Sequence, residues 1–121
     1  MRDKIKLSVG KNTFRVTLEV NRSAKALIEL LRNGSIEVAC YNYGGFEKVC
    51  TLDKTLVSND SHITTRAGDV MLYNGNKIVI FYASNNWAYT RLGKVDKEYI
   101  DQLRSILSGP DTSVTISLTN I

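Results

Sequence analysis

Residues 67–95, AGDVMLYNGNKIVIFYASNNWAYTRLGKV, hold three strand-like runs and a tight turn in under thirty residues. Asp69–Tyr73 and Lys77–Tyr82 are rich in β-branched and aromatic side chains, which suit a pleated, half-buried surface. Between them Asn74-Gly75-Asn76 supplies residues that tolerate the positive φ a hairpin turn requires. Ala88–Val95 forms the third run, reached through the polar connection Ala83-Ser84-Asn85-Asn86-Trp87. Such a segment cannot propagate as helix, so the chain must build an antiparallel sheet around it.

The flanking sequence agrees with that demand. Ile5, Leu7 and Val9 alternate with Lys4, Lys6 and Ser8, and Phe14, Val16, Leu18 and Val20 continue the period beyond Gly10-Lys11-Asn12. This period-two pattern predicts a hairpin with one buried face. A helix follows, with Asn21 or Ser23 at its start, Ala24, Leu27, Ile28 and Leu31 on one face, and Asn33-Gly34 as its stop. Strands resume at Ser35–Tyr41 and return through Phe46–Thr51 after a turn at Gly44-Gly45. Leu52–Arg66 reads as a long polar loop, a length usually reserved for functional or mobile segments. Asp96 is expected to cap a second helix, Lys97–Leu107, ended by Gly109-Pro110, and Thr112–Thr119 is the last strand. About eight strands and two helices, with regular turns, predict a closed or nearly closed antiparallel β-barrel covered by the helices.

Composition bounds the function classes. At 121 residues, 43% hydrophobic and 23% charged, the chain reads as one domain over 1–121 with one continuous core. The start Met1-Arg2-Asp3-Lys4-Ile5-Lys6 moves straight into a strand pattern, and no stretch has the length of a membrane span. A cytoplasmic location is therefore expected, with Cys40 and Cys50 as free thiols and no membrane partner. The net charge of +4 favours anionic partners, but Lys and Arg are scattered without a basic stripe, so no nucleic-acid role is expected.

No side-chain set announces a reaction. One His, two Cys and separated carboxylates form no zinc pattern, and nothing in the sequence brings His62 to either thiol, so no catalytic residue, metal or cofactor is expected. Gly68, Gly75 and Gly93 read as structural turn and strand glycines, since a phosphate loop needs a glycine-rich turn leading into a helix. Asp69, at a strand start, serves either as an anchor for the Arg66–Ala67 approach or as a pocket group. Arg91 either pairs with Asp69 or joins Tyr89 on an aromatic and cationic strand face able to bind a carboxylate or a peptide carbonyl. Trp87 plugs a barrel end or lines a cleft. Met71, Tyr73, Phe81 and Tyr82 line the same cleft or belong to the core.

Gly68-Asp69-Val70-Met71-Leu72-Tyr73, Asn74-Gly75-Asn76, Ile80-Phe81-Tyr82 and Tyr89-Thr90-Arg91-Leu92-Gly93 resemble the cyclophilin-like domain of a bacterial family of small proteins. The N-terminal hairpin, the Ala24–Leu31 helix and Gly45-Phe46-Glu47-Lys48 also fit that layout. The resemblance implies a cyclophilin-like barrel over nearly the whole chain. It does not imply prolyl isomerisation, because the His-Arg…Phe…Gln-Gly-Gly set of true cyclophilins has no counterpart here and His62 is followed by Ile63. The expected function is a non-catalytic module that binds a peptide or small molecule through Tyr73, Phe81, Trp87, Tyr89 and Arg91. Two alternatives stay open: a weak prolyl isomerase, and a scaffold that associates through its barrel surface as a homo-oligomer.

Overall fold

A computed structural model describes residues 3–119. The chain runs β1 (Lys4–Val9), β2 (Asn12–Leu18), α1 (Arg22–Leu31), β3 (Ile36–Tyr43), β4 (Glu47–Thr51), β5 (Ser61–Thr64), β6 (Asp69–Tyr73), β7 (Lys77–Phe81), β8 (Asn86–Val95), a short 3-10 turn (Lys97–Tyr99), α2 (Ile100–Leu107) and β9 (Thr112–Leu118). The strands pair in the order β2-β1-β9-β3-β4-β7-β6-β8, every pair antiparallel, and β8 pairs back onto β2. Eight strands thus close into a barrel. β5 lies outside it, bonded only to the first half of β8.

Strand alternation decides which side chains fill the interior. Ile5, Leu7, Phe14, Val16, Val70, Leu72, Ile78, Ile80, Val114 and Ile116 point inward and are almost fully buried. Helix α1 adds Ala24, Leu27 and Leu31 to this core, and α2 adds Leu103 and Leu107. Each such leucine contributes about 2 kcal/mol of burial. The helix start is set by Asn21, whose Oδ1 accepts from the Ala24 N–H at 2.8 Å, while its Nδ2 donates to the Arg91 carbonyl of β8 at 2.8 Å. The cap therefore fastens the helix to the barrel as well as starting it.

Closure depends on β8. Val16, Thr17 and Leu18 face Val95, Lys94 and Gly93. A Cβ on Gly93 would lie 2.5 Å from the Thr17 carbonyl oxygen and 3.0 Å from the Leu18 Cα, so only glycine permits this approach. A register shift sits beside it: Val70 faces Gly93 but Met71 faces Arg91, leaving Leu92 as an extra residue on β8. The bulge lets Leu92 enter the core and re-aims the strand, so Arg91 is exposed where strict alternation along the second half of β8 would not place it.

Several expectations change. The long loop contains β5, and Leu52 and Leu56 anchor its start in the core. Their amides donate to the Asn76 and Gly75 carbonyls of the β6–β7 turn, both at 2.7 Å. Trp87 lies within β8, opposite Ile63 of β5, not in a connection. Val20 falls beyond β2 and is exposed. Asp96 makes no capping bond and the second helix begins at Ile100. Its carboxylate instead accepts from Lys4 Nζ at 2.9 Å and Thr17 Oγ1 at 2.6 Å. Burial alone would raise the Asp96 carboxyl, but those two bonds and the nearby Arg15 outweigh it and hold it below its ordinary value. Asp69 and Arg91 do not pair, since they face Lys94 and Met71 respectively. Asp69 instead closes a turn, accepting from the Arg66 N–H at 2.9 Å, with Gly68 inside that turn at φ +97°.

The cysteines are not thiols. Cys40 and Cys50 face each other on β3 and β4 with Cα atoms 4.2 Å apart, and their sulfurs are bonded. Adjacent strands bring them together although ten positions separate them in sequence.

Two stability measurements check this account. Gly93→Ala should lower the unfolding free energy in urea by about 3 kcal/mol, since strand closure must yield to the new methyl. Reducing the Cys40–Cys50 bond should cost about 3 kcal/mol through the loop-closure entropy of the unfolded chain, seen as a lower urea midpoint with reductant present.

Candidate binding cleft

The strands β4, β7, β6 and β8 carry a second, smaller apolar cluster on the face turned away from the barrel interior. Val49, Met71, Val79, Phe81 and Tyr89 form it, with Phe46, Ile63 and Tyr73 packed against them. A cleft of about 660 Å³ opens over this cluster. Tyr41 and Tyr43 of β3, Phe46 just before β4 and Glu47 at its start, Tyr73 of β6, and Trp87 and Tyr89 of β8 are among the residues lining it, with Lys77 and Asn85.

Aromatic rings run continuously across its floor. Tyr43 meets Phe46 edge-on at 6.1 Å, Phe46 stacks on Phe81 at 6.5 Å, and Tyr89 contacts Phe81 at 5.2 Å and Tyr73 at 6.0 Å. These separations are those at which ring pairs attract. Gly44 permits the Phe46 position: its φ is +65°, and a Cβ there would fall 2.1 Å from the Phe46 ring.

One carboxylate is embedded in this apolar surface. Glu47 faces Tyr43 and Phe81 across its two neighbouring strands and is only 5% exposed. The Tyr89 hydroxyl donates to Glu47 Oε1 at 3.3 Å and accepts from Asn85 Nδ2 at 2.8 Å. Asn85 is itself held by the buried Thr65: its N–H donates to Thr65 Oγ1, and its carbonyl accepts from the Thr65 N–H and hydroxyl. Burial pushes the Glu47 carboxyl up from its ordinary value of 4.5 to about 7, and the bond from Tyr89 only partly offsets this. Tyr89 is pushed up to about 12, chiefly by burial and further by Glu47, so its hydroxyl keeps its proton at any physiological pH. The neighbouring Lys48 points the other way and donates to the Gly109 and Pro110 carbonyls at 3.0 and 2.6 Å, tying the connection between α2 and β9 to the barrel.

The structure thus places Tyr73, Trp87 and Tyr89 around one cleft. Phe81 lies fully buried beneath it, in contact with Phe46 and Tyr89. Arg91 lies elsewhere. It lines a separate depression of about 640 Å³ with Asn21, Arg22, Ser23 and the 57–61 loop. Glu47, Asn85, Tyr41 and Tyr43 were not singled out from the sequence. Glu47 stands in the Gly45-Phe46-Glu47-Lys48 run that carried part of the family resemblance, and that run was the available signal. Among the described residues no group of three His, Cys, Asp or Glu side chains could hold a metal ion, and no helix is long and apolar enough to cross a membrane.

Residues 7–117 match the Cyclophilin-like family. The chain belongs to that family. The solution structure of the hypothetical protein AF2241 from Archaeoglobus fulgidus is similar to this cyclophilin-like barrel over 98% of this chain and 95% of that one. The TM-score is 0.65 at 16% sequence identity, a likeness of fold. No curated protein matches the chain.

The raised Glu47 carboxyl makes the stability of this cyclophilin-like protein depend on pH. The folded state keeps the proton to about pH 7, whereas an unfolded glutamate loses it near 4.5, so stability is full below that value and declines between them. Urea unfolding from pH 4 to 8 should show this decline, and Glu47→Gln should remove its share.

Proposed function

We propose that this protein is a binding module that takes a small molecule or a peptide side chain in the Glu47 cleft without catalysing a reaction on it. The observation that carries this reading is an open cleft whose floor is a continuous aromatic surface with one polar cluster, Glu47-Tyr89-Asn85, at a defined place. Ligand sites have this character: mostly apolar walls for affinity and a few fixed polar groups for orientation. Trp87, 55% exposed on the rim, is available for contact, and Tyr73 and Tyr89 offer ring surface below it. In this reading Phe81 supports the floor, and Arg91 serves the neighbouring depression. The Cys40–Cys50 bond also bears on location, because it favours an oxidising compartment over the cytoplasm expected from the N-terminal sequence.

A fragment screen followed by amide and indole NMR tests the site. Compounds with aromatic, prolyl or amine groups should shift the Trp87 indole and Asn85 side-chain signals together, and Trp87→Ala should weaken those hits about tenfold. Absence of any shift at these residues, or hits indifferent to both Trp87→Ala and Tyr73→Ala, would overturn the assignment.

A further inference from the structure

We propose that the cleft selects ligands bearing an alkylammonium group, a primary or N-methylated amine whose positive charge sits against Glu47 while its carbon substituents lie on the surrounding rings. This deepens the binding function above and rests on it. Glu47 is the only acidic side chain in the cleft lining, and it is nineteen-twentieths buried. One oxygen accepts from Tyr89, and among the described residues no group donates to the other. Lys77, the one cation in the lining, forms no ion pair with it. A carboxylate held in apolar surroundings without a cation is costly when ionised, and a ligand cation removes that cost.

The walls favour the same chemistry. Tyr41, Tyr43, Phe46, Tyr73 and Trp87 present ring surface around the carboxylate, and ring faces attract ammonium groups in proportion to their desolvation. An anionic ligand would meet Glu47 as a like charge, and a neutral ligand would gain the rings but leave the carboxylate unpaired. The cleft volume of about 660 Å³ exceeds what a bare ion needs, which suits a cation carrying alkyl groups. Ionisation of Glu47 makes recognition pH-dependent. The titratable groups around it are Tyr41 and Tyr43 on β3, Tyr73 on β6, Lys77 on β7, Tyr82 just beyond β7 and Tyr89 on β8. Burial places the change in the charge of Glu47 near pH 7.

The test uses the full chain, Trp87 fluorescence and NMR, and two probes of equal shape: choline, and 3,3-dimethylbutan-1-ol, in which carbon replaces the charged nitrogen. At pH 8 choline should bind about tenfold more tightly than the alcohol, and the ratio should shrink at pH 5.5. Glu47→Gln should abolish the preference while the alcohol still shifts the Trp87 indole, which shows that the fold is intact. Should that variant fail to fold, Trp87→Leu should weaken choline more than the alcohol. Equal binding of both probes, or a preference independent of pH, overturns the ammonium inference and leaves the cleft as a binding site. Failure of both probes to shift any cleft residue, while fragments of other chemistry do, also overturns it. If nothing shifts the cleft at all, the binding function falls with it.

Discussion

Strands β2 and β8 meet along only three residue pairs, Val16–Leu18 against Gly93–Val95, and that short seam turns an open sheet into a barrel. It forms because Gly93 has no side chain to hold the Thr17 carbonyl away. The adjacent bulge gives β8 one residue more than β6, and β2 ends opposite Gly93 of β8. Its first half then has an edge free to pair with β5. Trp87 and Tyr89 lie in that half, and Tyr89 joins Met71, Val79 and Phe81 in the outer cluster.

A barrel of this kind needs apolar side chains only on its inner face, yet four strands here carry them on both. Val70, Leu72, Ile78 and Ile80 fill the interior while Met71, Val79 and Phe81 are buried outside it. No helix covers that outer cluster. It is shielded by rings from the strand ends, and the shielding is incomplete where the cleft opens. Placing Glu47 there works against stability, since burial disfavours its ionised form. Its neighbour Lys48, equally buried, has two carbonyl partners and a plain structural task. The contrast between a satisfied buried lysine and a glutamate with one free oxygen is why the cleft reads as a site and the barrel end does not.

The strands were legible because period two survives in sequence wherever one face is buried. Asp69–Tyr73 and Lys4–Val9 have the limits expected of them, and α1 follows its apolar face and its Asn21 cap. What escaped depends on partners distant in sequence. β5 carries no apolar alternation and exists because β8 offers it an edge. Asp96 looked like a cap because a carboxylate before a helix commonly is one, but Lys4 and Thr17 claim it first. Tyr73, Trp87 and Tyr89 were legible as cleft residues from their chemistry. Arg91 was grouped with them by strict alternation, and the structure puts it over a different depression.

By itself the sequence determined the eight barrel strands, the two helices and the turns, because those depend on side-chain pattern and on backbone freedom within a few residues. Tertiary structure alone decided that Cys40 meets Cys50, that Leu92 is an extra residue, and that Glu47 lies under Tyr43 and beside Tyr89. The reason is register. Which residues face one another across two strands depends on how the whole barrel closes, and no local pattern records that.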